Sequence, residues 1–423
     1  EQALGDAVNH ARTVPQQLNH TMQTVPADAG AAVVVDLRTG RVIAAANYPT
    51  YDPGVWDGAG IDSNVYQQLQ ADPGKPLFSQ AIQGQYAPGS TFKIVSTAGA
   101  VSTPDYSLSG KYACDSVYHV GTQTFVNFES EGGVGDISFA DALKISCDTF
   151  FYAPAANEYY ADQARIAQGD KAHEWLQRMA AAYGVGSKPG IDLPADEQAT
   201  GSYADRETRM ARWTANKTTY CAEAKSGYKN VANATDRAYL TQLASENCTD
   251  GWRYRAGDNA DMAIGQGETT LSPLQLAVAY SAMFNGGKIY APTIGRAVQN
   301  ANGKLVRTIQ PTVKGTVPVS RQLFNYIANS LSFSRGWAVS GAFAYIGSKY
   351  QNRIGGKTGT AEVFGNQDTS WLASWGPTSK DAHGNVHAKY VIVGMVEQAG
   401  TGATAAGPML QRIWDYIMGS TTR

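Results

Sequence analysis

The chain has 423 residues, 43% hydrophobic and 17% charged, a balance that suits a folded protein with one large core or two. Its formal net charge is −2 and no block of like charges stands out, so nothing in the charge favours nucleic acid or a membrane surface as partner. No run of about 18 apolar residues occurs, which excludes a membrane-spanning helix within these residues.

Residues 1–28 mix helix formers with polar residues around Pro15 and Pro26. They read as a helical lead-in, or as the remnant of a missing N-terminal region. No secretory signal opens the chain, and a start in EQALGDAVNHA reads as the middle of a longer protein trimmed of an upstream anchor. Ala31 to Leu37 and Arg41 to Ala46 flank Arg38-Thr39-Gly40 and predict a β-hairpin closed by a glycine turn. Asn47 to Asp57, with two prolines, is an irregular exit. A helix is predicted after Pro88-Gly89, with Ile94, Val95 and Ala98 on one face. Phe139 to Ile145 is helical in pattern. Residues 199–260 are rich in Asn, Thr, Lys, Tyr and Ala and read as an insertion on the core.

Ser272-Pro273-Leu274-Gln275 combines an N-cap serine, proline in the first turn and a capping-box glutamine. The apolar face of that helix runs through Leu274, Ala277, Val278 and Met283 until Gly286-Gly287 stops it. Trp371 to Trp375 and Tyr390 to Val396 predict buried strands around the polar turn 379–385, and a closing helix carries Met409, Ile413 and Ile417. Strands at both chain ends with helices between them define an α+β fold whose antiparallel sheet joins the termini. The helices flank that sheet and add a helical subdomain.

Four cysteines occur, Cys114, Cys147, Cys221 and Cys248, and none forms a C-x-x-C pair. Cys221 and Cys248 lie in one polar stretch. They are either two free thiols or, in an oxidising compartment, a bridge contributing roughly 3–4 kcal/mol.

The chemistry-bearing residues begin with Ser90-Thr91-Phe92-Lys93. On a helix, positions three apart share a face, so the Lys93 amine reaches the Ser90 hydroxyl. Serine is a poor nucleophile without a neighbouring base, and lysine is a base only when burial or a second cation lowers its pKa. In Gly356-Lys357-Thr358-Gly359-Thr360, Lys357 supplies that second cation and attracts a substrate carboxylate, which Thr358 binds. Gly359 leaves room for a substrate backbone, and the Thr360 and Ser90 N–H groups are candidates for an oxyanion hole. A phosphate loop is excluded because its first glycine position holds Gln351. Ser146-Cys147-Asp148 lies between the two motifs, and Ser146 is placed to relay a proton between Lys93 and the leaving amine.

S-x-x-K, then S-x-[ND], then K-T-G resembles the penicillin-recognising serine enzymes. Further stretches resemble the class B penicillin-binding proteins. These are Val33 to Gly40 with Asn47 to Pro53, Ala87 to Lys93, Tyr183 to Gly186 with Gly190 to Pro194, and Ile264 to Gly267 with Ser272 to Ala277. The resemblance spans about residues 30–418. It implies the transpeptidase fold of that family over 29–423, with Ser90, Lys93, Ser146 and Lys357 catalytic and Asp148, Thr358, Gly359 and Thr360 binding substrate. It also implies peptidoglycan stem peptides as substrates, β-lactams as covalent ligands and a membrane glycosyltransferase as partner. The family's full-length members carry an N-terminal anchor that places the domain on the extracytoplasmic side of the cell membrane. No metal or cofactor is expected, since there is no H-E-x-x-H and no carboxylate cluster.

The family's second motif usually ends in Asn, whereas this chain has Asp148. An ionised Asp only accepts hydrogen bonds and favours the protonated form of a nearby lysine. Altered substrate choice or lowered β-lactam affinity is the expectation.

A β-lactamase is disfavoured by the long stretch between Ser146 and Lys357 and by the lack of a matching deacylating base. A D,D-carboxypeptidase and a non-catalytic β-lactam sensor or scaffold are the alternatives. A Ser-His-Asp hydrolase lacks its G-x-S-x-G elbow, and His10, His20, His119, His173, His383 and His387 lie in no motif. Glu362 is expected in a strand-end salt bridge rather than as a base. Trp371 and Trp375, four residues apart and so on one face of a strand with a period of two, are expected to pack in the core.

Overall fold

Ala31 to Val35 is an unbroken apolar run, and a strand of that composition is stable only when both of its faces are covered. The computed structural model shows both covers. It describes residues 1–423 apart from 19–20, 59, 73, 128–132, 334–348, 351, 364–365, 403 and 421–423. In chain order, α1 (Gln2–Thr13) precedes the hairpin of β1 (Gly30–Asp36) and β2 (Arg41–Tyr48). Then come α2 (Lys93–Ala100), α3 (Phe139–Ile145), α4 (Asp148–Ala167), α5 (Arg206–Ser226), α6 (Ala234–Asp250), α7 (Ala256–Ala263) and α8 (Pro273–Ser281). The chain closes with β3 (Gly355–Ala361), β4 (Thr369–Gly376), β5 (Tyr390–Val396) and α9 (Ala406–Ser420).

The five strands form one antiparallel sheet in the order β3-β4-β5-β1-β2. The N-terminal and C-terminal strands are therefore direct neighbours, as the α+β reading expects. Alternation sorts their side chains between two cores. Ala31, Val33, Val35, Trp371, Ala373, Trp375, Val391, Val393 and Met395 point to the front, against α8 and the helical subdomain. Ala32, Val34, Leu372, Ile392 and Val396 point to the back, where Leu4, Val8 and Ala11 of α1 meet Met409, Leu410 and Trp414 of α9. Both tryptophans of β4 are core residues, as expected.

The lead-in is helical as expected; the helix is packed into the back core and a small hairpin, Gln16–Leu18 with Thr21–Gln23, follows it. Two expectations change. The capping box at Ser272 and Gln275 forms as predicted, but α8 has no polar face. Every residue of it is buried, because the sheet lies against it and its other sides meet Ala81, Thr91, Ser187 and Thr200. The regular helix also ends at Ser281, short of Met283.

Within 199–260, α5 and α6 lie side by side as an antiparallel pair joined by a Cys221–Cys248 disulfide. Ala244 is their one buried residue among those described.

Candidate active site

The first motif is not α-helical where the serine sits. Gly89–Phe92 forms a 3₁₀ turn that runs straight into α2 at Lys93. With three residues per turn, positions i and i+3 eclipse, so Ser90 and Lys93 share a face more strictly than on an α-helix. Three contacts brace this turn. The Gly89 N–H donates to the Gly265 carbonyl at 3.0 Å. The buried Tyr280 hydroxyl of α8 donates to the Thr91 carbonyl at 2.7 Å, and Thr91 Oγ1 donates to the Pro88 carbonyl at 2.7 Å. Gly89 and Gly265 both have positive φ, and a Cβ on either would overlap backbone of the facing segment. The Ile264-Gly265-Gln266-Gly267 stretch is thus the seat of the nucleophile turn.

Lys93 is fully buried, and its amine points at the second motif. Its Nζ donates to the Ser146 carbonyl at 2.6 Å, to Ser146 Oγ at 3.1 Å and to Asp148 Oδ1 at 2.5 Å. Lys357 reaches in from β3, and its Nζ donates to Ser146 Oγ at 2.9 Å. Ser146 Oγ therefore sits between two amines. As an acceptor of both it uses its two lone pairs, and its own proton is left to point elsewhere. Burial pushes the Lys93 pKa below the usual lysine value, against the attraction of Asp148, which raises it.

Ser146 owes its place to a break between helices. It ends α3 in the left-handed region, with φ 60°, and α4 begins at Asp148. Cys147 between them is bonded to Cys114. Sequence reasoning missed this bridge, although a cysteine inside the motif was the available signal. Spacing alone names no partner for it.

The third motif lies on edge strand β3. Lys357, Gly359 and Ala361 are buried, and Thr358 and Thr360 half-buried. A Cβ at Gly359 would stand 2.6 Å from the Pro88 carbonyl oxygen and 2.9 Å from Thr91 Cγ2. The close approach there is to the nucleophile turn itself, which keeps β3 against Ser90. Thr360 lies beside Gly89, and its Oγ1 accepts from the Gly402 N–H at 2.6 Å. Its side chain is thereby tied to the loop before α9, with the backbone facing the turn. Thr358 offers its carbonyl to Lys357 Nζ at 3.2 Å.

Glu362 departs from expectation. It is exposed at the end of β3, and among the described residues no ion pair holds it. Its charge acts instead on neighbouring acids. Burial first, then Asp258 and Glu362, lift Asp261 to about 7, and burial with Glu362 lifts Asp368 to about 6.

A 3₁₀ serine turn packed on α8, two buried lysines meeting at one serine hydroxyl and an edge strand beside them form one cluster. The penicillin binding protein transpeptidase domain family matches residues 30–415, and the chain belongs to it. Among curated relatives, the peptidoglycan D,D-transpeptidase MrdA of Haemophilus influenzae is 26% identical over 416 residues, which cover 92% of this chain and 53% of MrdA. The chain thus spans about half the length of that relative. Two solved structures share the fold. One is a chain of a peptidoglycan synthase complex that coordinates polymerization and crosslinking, with TM-score 0.67 and 22% identity over 98% of this chain and 59% of that one. The other is penicillin-binding protein A from M. tuberculosis as a penicillin G acyl-enzyme, with TM-score 0.66 and 18% identity over 99% of this chain and 79% of that one. Among the described residues, no helix is long and apolar enough to cross a membrane.

Proposed function

We propose that this domain is a peptidoglycan D,D-transpeptidase with Ser90 as nucleophile. Lys93 in its neutral form takes the Ser90 proton as Oγ attacks the carbonyl of the penultimate D-Ala of a stem peptide. The N–H groups of Ser90 and Thr360 hold the oxyanion. The proton then passes from Lys93 through Ser146 to the departing nitrogen, and D-Ala leaves. An amine of a second stem peptide attacks the ester carbonyl, returns its proton along the same path and releases Ser90. Lys357 and Thr358 hold the substrate carboxylate, Asp148 lines the donor groove, and Gly359 keeps β3 close to the turn.

The observation that carries this reading is the line from Lys93 Nζ to Ser146 Oγ to Lys357 Nζ, at 3.1 and 2.9 Å, starting at the lysine into which the Ser90 turn runs. It is a proton path between base, relay and second cation with no gap wider than a hydrogen bond. β-Lactams acylate the same serine in this reading, and MrdA and the penicillin G acyl-enzyme of penicillin-binding protein A are consistent with it.

We place the domain on the extracytoplasmic face of the membrane, where its substrate lies and where two disulfides persist. A membrane anchor and a glycosyltransferase partner are part of the same reading. The α5–α6 pair is an appendage of the transpeptidase core, since it buries so little of its own surface.

Intact-protein mass after incubation with penicillin G, and separately with a thioester mimic of acyl-D-Ala, tests the reading. Wild type is expected to gain the acyl mass from both and Ser90→Ala from neither. Absence of any adduct on wild type overturns it, and adducts on both proteins overturn the assignment to Ser90.

A further inference from the structure

Helix α4 starts at the second motif, and a helix start leaves several N–H groups without intrahelical partners. Cys147, its N-cap residue, offers no side-chain cap. The cap comes from elsewhere in the chain. Asn127, at the end of the hairpin Val117–Val120 with Gln123–Val126, is buried and directs Oδ1 at the helix start. That oxygen accepts from the Asp148 N–H at 2.8 Å and from the Thr149 N–H at 3.0 Å. The other end of the same amide, Nδ2, donates to the Asp115 carbonyl at 2.7 Å, and Thr149 Oγ1 donates to that carbonyl at 2.7 Å.

Two N–H donors on one side and a carbonyl on the other dictate which end of the amide is oxygen. They also explain the residue type. Aspartate supplies the acceptor but sets its second oxygen against the Asp115 carbonyl, and serine lacks the reach. The Cys114–Cys147 bridge joins the residues just before Asp115 and Asp148. The disulfide therefore tethers the two segments, while Asn127 sets the rotation and depth at which α4 begins. One residue upstream lies the bridge, two upstream lies Ser146, and the first residue of α4 is the partner of Lys93.

We propose that Asn127 is a positioning residue for acylation. Its side-chain amide caps α4 from another element and thereby holds Ser146 and Asp148 in register with the Lys93 amine. The proposal rests on the Ser90 acylation reading above. Without the amide, the helix start is free to turn or fray, and the contacts of 2.5 to 3.1 Å that Lys93 makes with Ser146 and Asp148 lengthen. Proton removal from Ser90 slows as that geometry loosens, although Asn127 touches no substrate.

The test is pre-steady-state acylation by a fluorescent penicillin, resolving the rate constant from the amplitude, for wild type, Asn127→Ala and Asn127→Asp. Amplitude reports the fraction of folded, reactive protein, and the rate constant reports the geometry of each active site. The expected result for Asn127→Ala is a rate constant at least ten-fold below wild type at undiminished amplitude. Asn127→Asp keeps the capping oxygen and is expected to recover part of that loss. A wild-type rate constant in Asn127→Ala overturns the proposal, as does a loss confined to amplitude. An Asn127→Asp variant as slow as Asn127→Ala also overturns it. Absence of acylation in wild type brings down the Ser90 reading itself, and this inference with it.

Discussion

At the scale of single residues, Lys93 is held by two opposed influences. Burial disfavours its charge and Asp148 favours it, with burial the larger. In the proposed mechanism the neutral amine is the base, so acylation is expected to rise with pH through the Lys93 pKa. Asp148→Asn removes the attraction, lowers that pKa further and moves the rising limb to lower pH. A penicillin acylation profile of Asp148→Asn against wild type checks this, and an unmoved limb together with an unchanged neutral-pH rate refutes it. Glu158 of α4 is a second buried carboxyl with a different role. It accepts from the Trp175 N–H and, at 3.3 Å, from Asn259 Nδ2, yet burial lifts its pKa to about 8. The folded state then keeps a proton that the unfolded chain releases near the ordinary carboxyl value of 4.5. Stability attributable to this group is full below that value and declines as pH rises towards about 8, a loss on the order of a few kcal/mol. Chemical unfolding at a series of pH values is expected to show a shallower decline between pH 5 and 8 in Glu158→Gln than in wild type. Equal slopes sink the assignment.

At the scale of elements, α5 and α6 are long helices with almost no buried face, and helices in that position draw little stability from packing. The Cys221–Cys248 bridge stands in for a core by closing a loop with sequence separation 27, a contribution of roughly 3–4 kcal/mol on the chain-entropy view. The double replacement Cys221→Ser with Cys248→Ser is expected to speed hydrogen exchange across 206–250 by at least ten-fold. Exchange in β1, β4 and β5 stays slow, and the penicillin acylation rate is retained. Unaltered exchange in α5 and α6 would show that packing alone holds the pair. The capping box at Ser272 represents the opposite case, a local signal in full agreement with its surroundings. It sits on α8, a helix buried along its whole length, whose Tyr280 hydroxyl supports the nucleophile turn.

At the scale of the whole molecule, the sheet is the joint between the two chain ends, and its back face is closed by the first and last helices together. Trp414 of α9 is fully buried there, with its indole N–H donating to Ser374 Oγ at 2.9 Å. Trp414→Ala removes the largest side chain of that layer and leaves a buried hydroxyl without this donor. A destabilisation of about 3–5 kcal/mol follows from cavity formation, measurable as a lower denaturant midpoint at constant slope. A loss below 1 kcal/mol would mean that the back layer contributes little. The active site lies on the front of the sheet, so the acylation rate of the folded variant is expected to match wild type.

Much of this protein was legible without coordinates. The three motifs named Ser90, Lys93, Ser146 and Lys357, because nucleophile, base and relay chemistry restricts residue types at short spacings. The apolar runs of β1 and β5 and the capping box of α8 were equally plain, since a strand covered on both faces and a capped helix start leave local marks. Other features were decided only by tertiary structure. The 3₁₀ turn at Ser90 exists because Gly265 and Tyr280 brace it from distant segments. The absence of a polar face on α8 depends on what covers it, and the Cys114–Cys147 pairing depends on where the strand Tyr112–Cys114, paired with Gly135–Ile137, folds. Asn127 carried no signal at all, because a side chain that caps a helix from another element shows no periodicity or spacing relative to it. Local rules act within a few residues, and the contacts that set Lys93, Ser146 and Lys357 at one hydroxyl join segments that only the folded chain brings together.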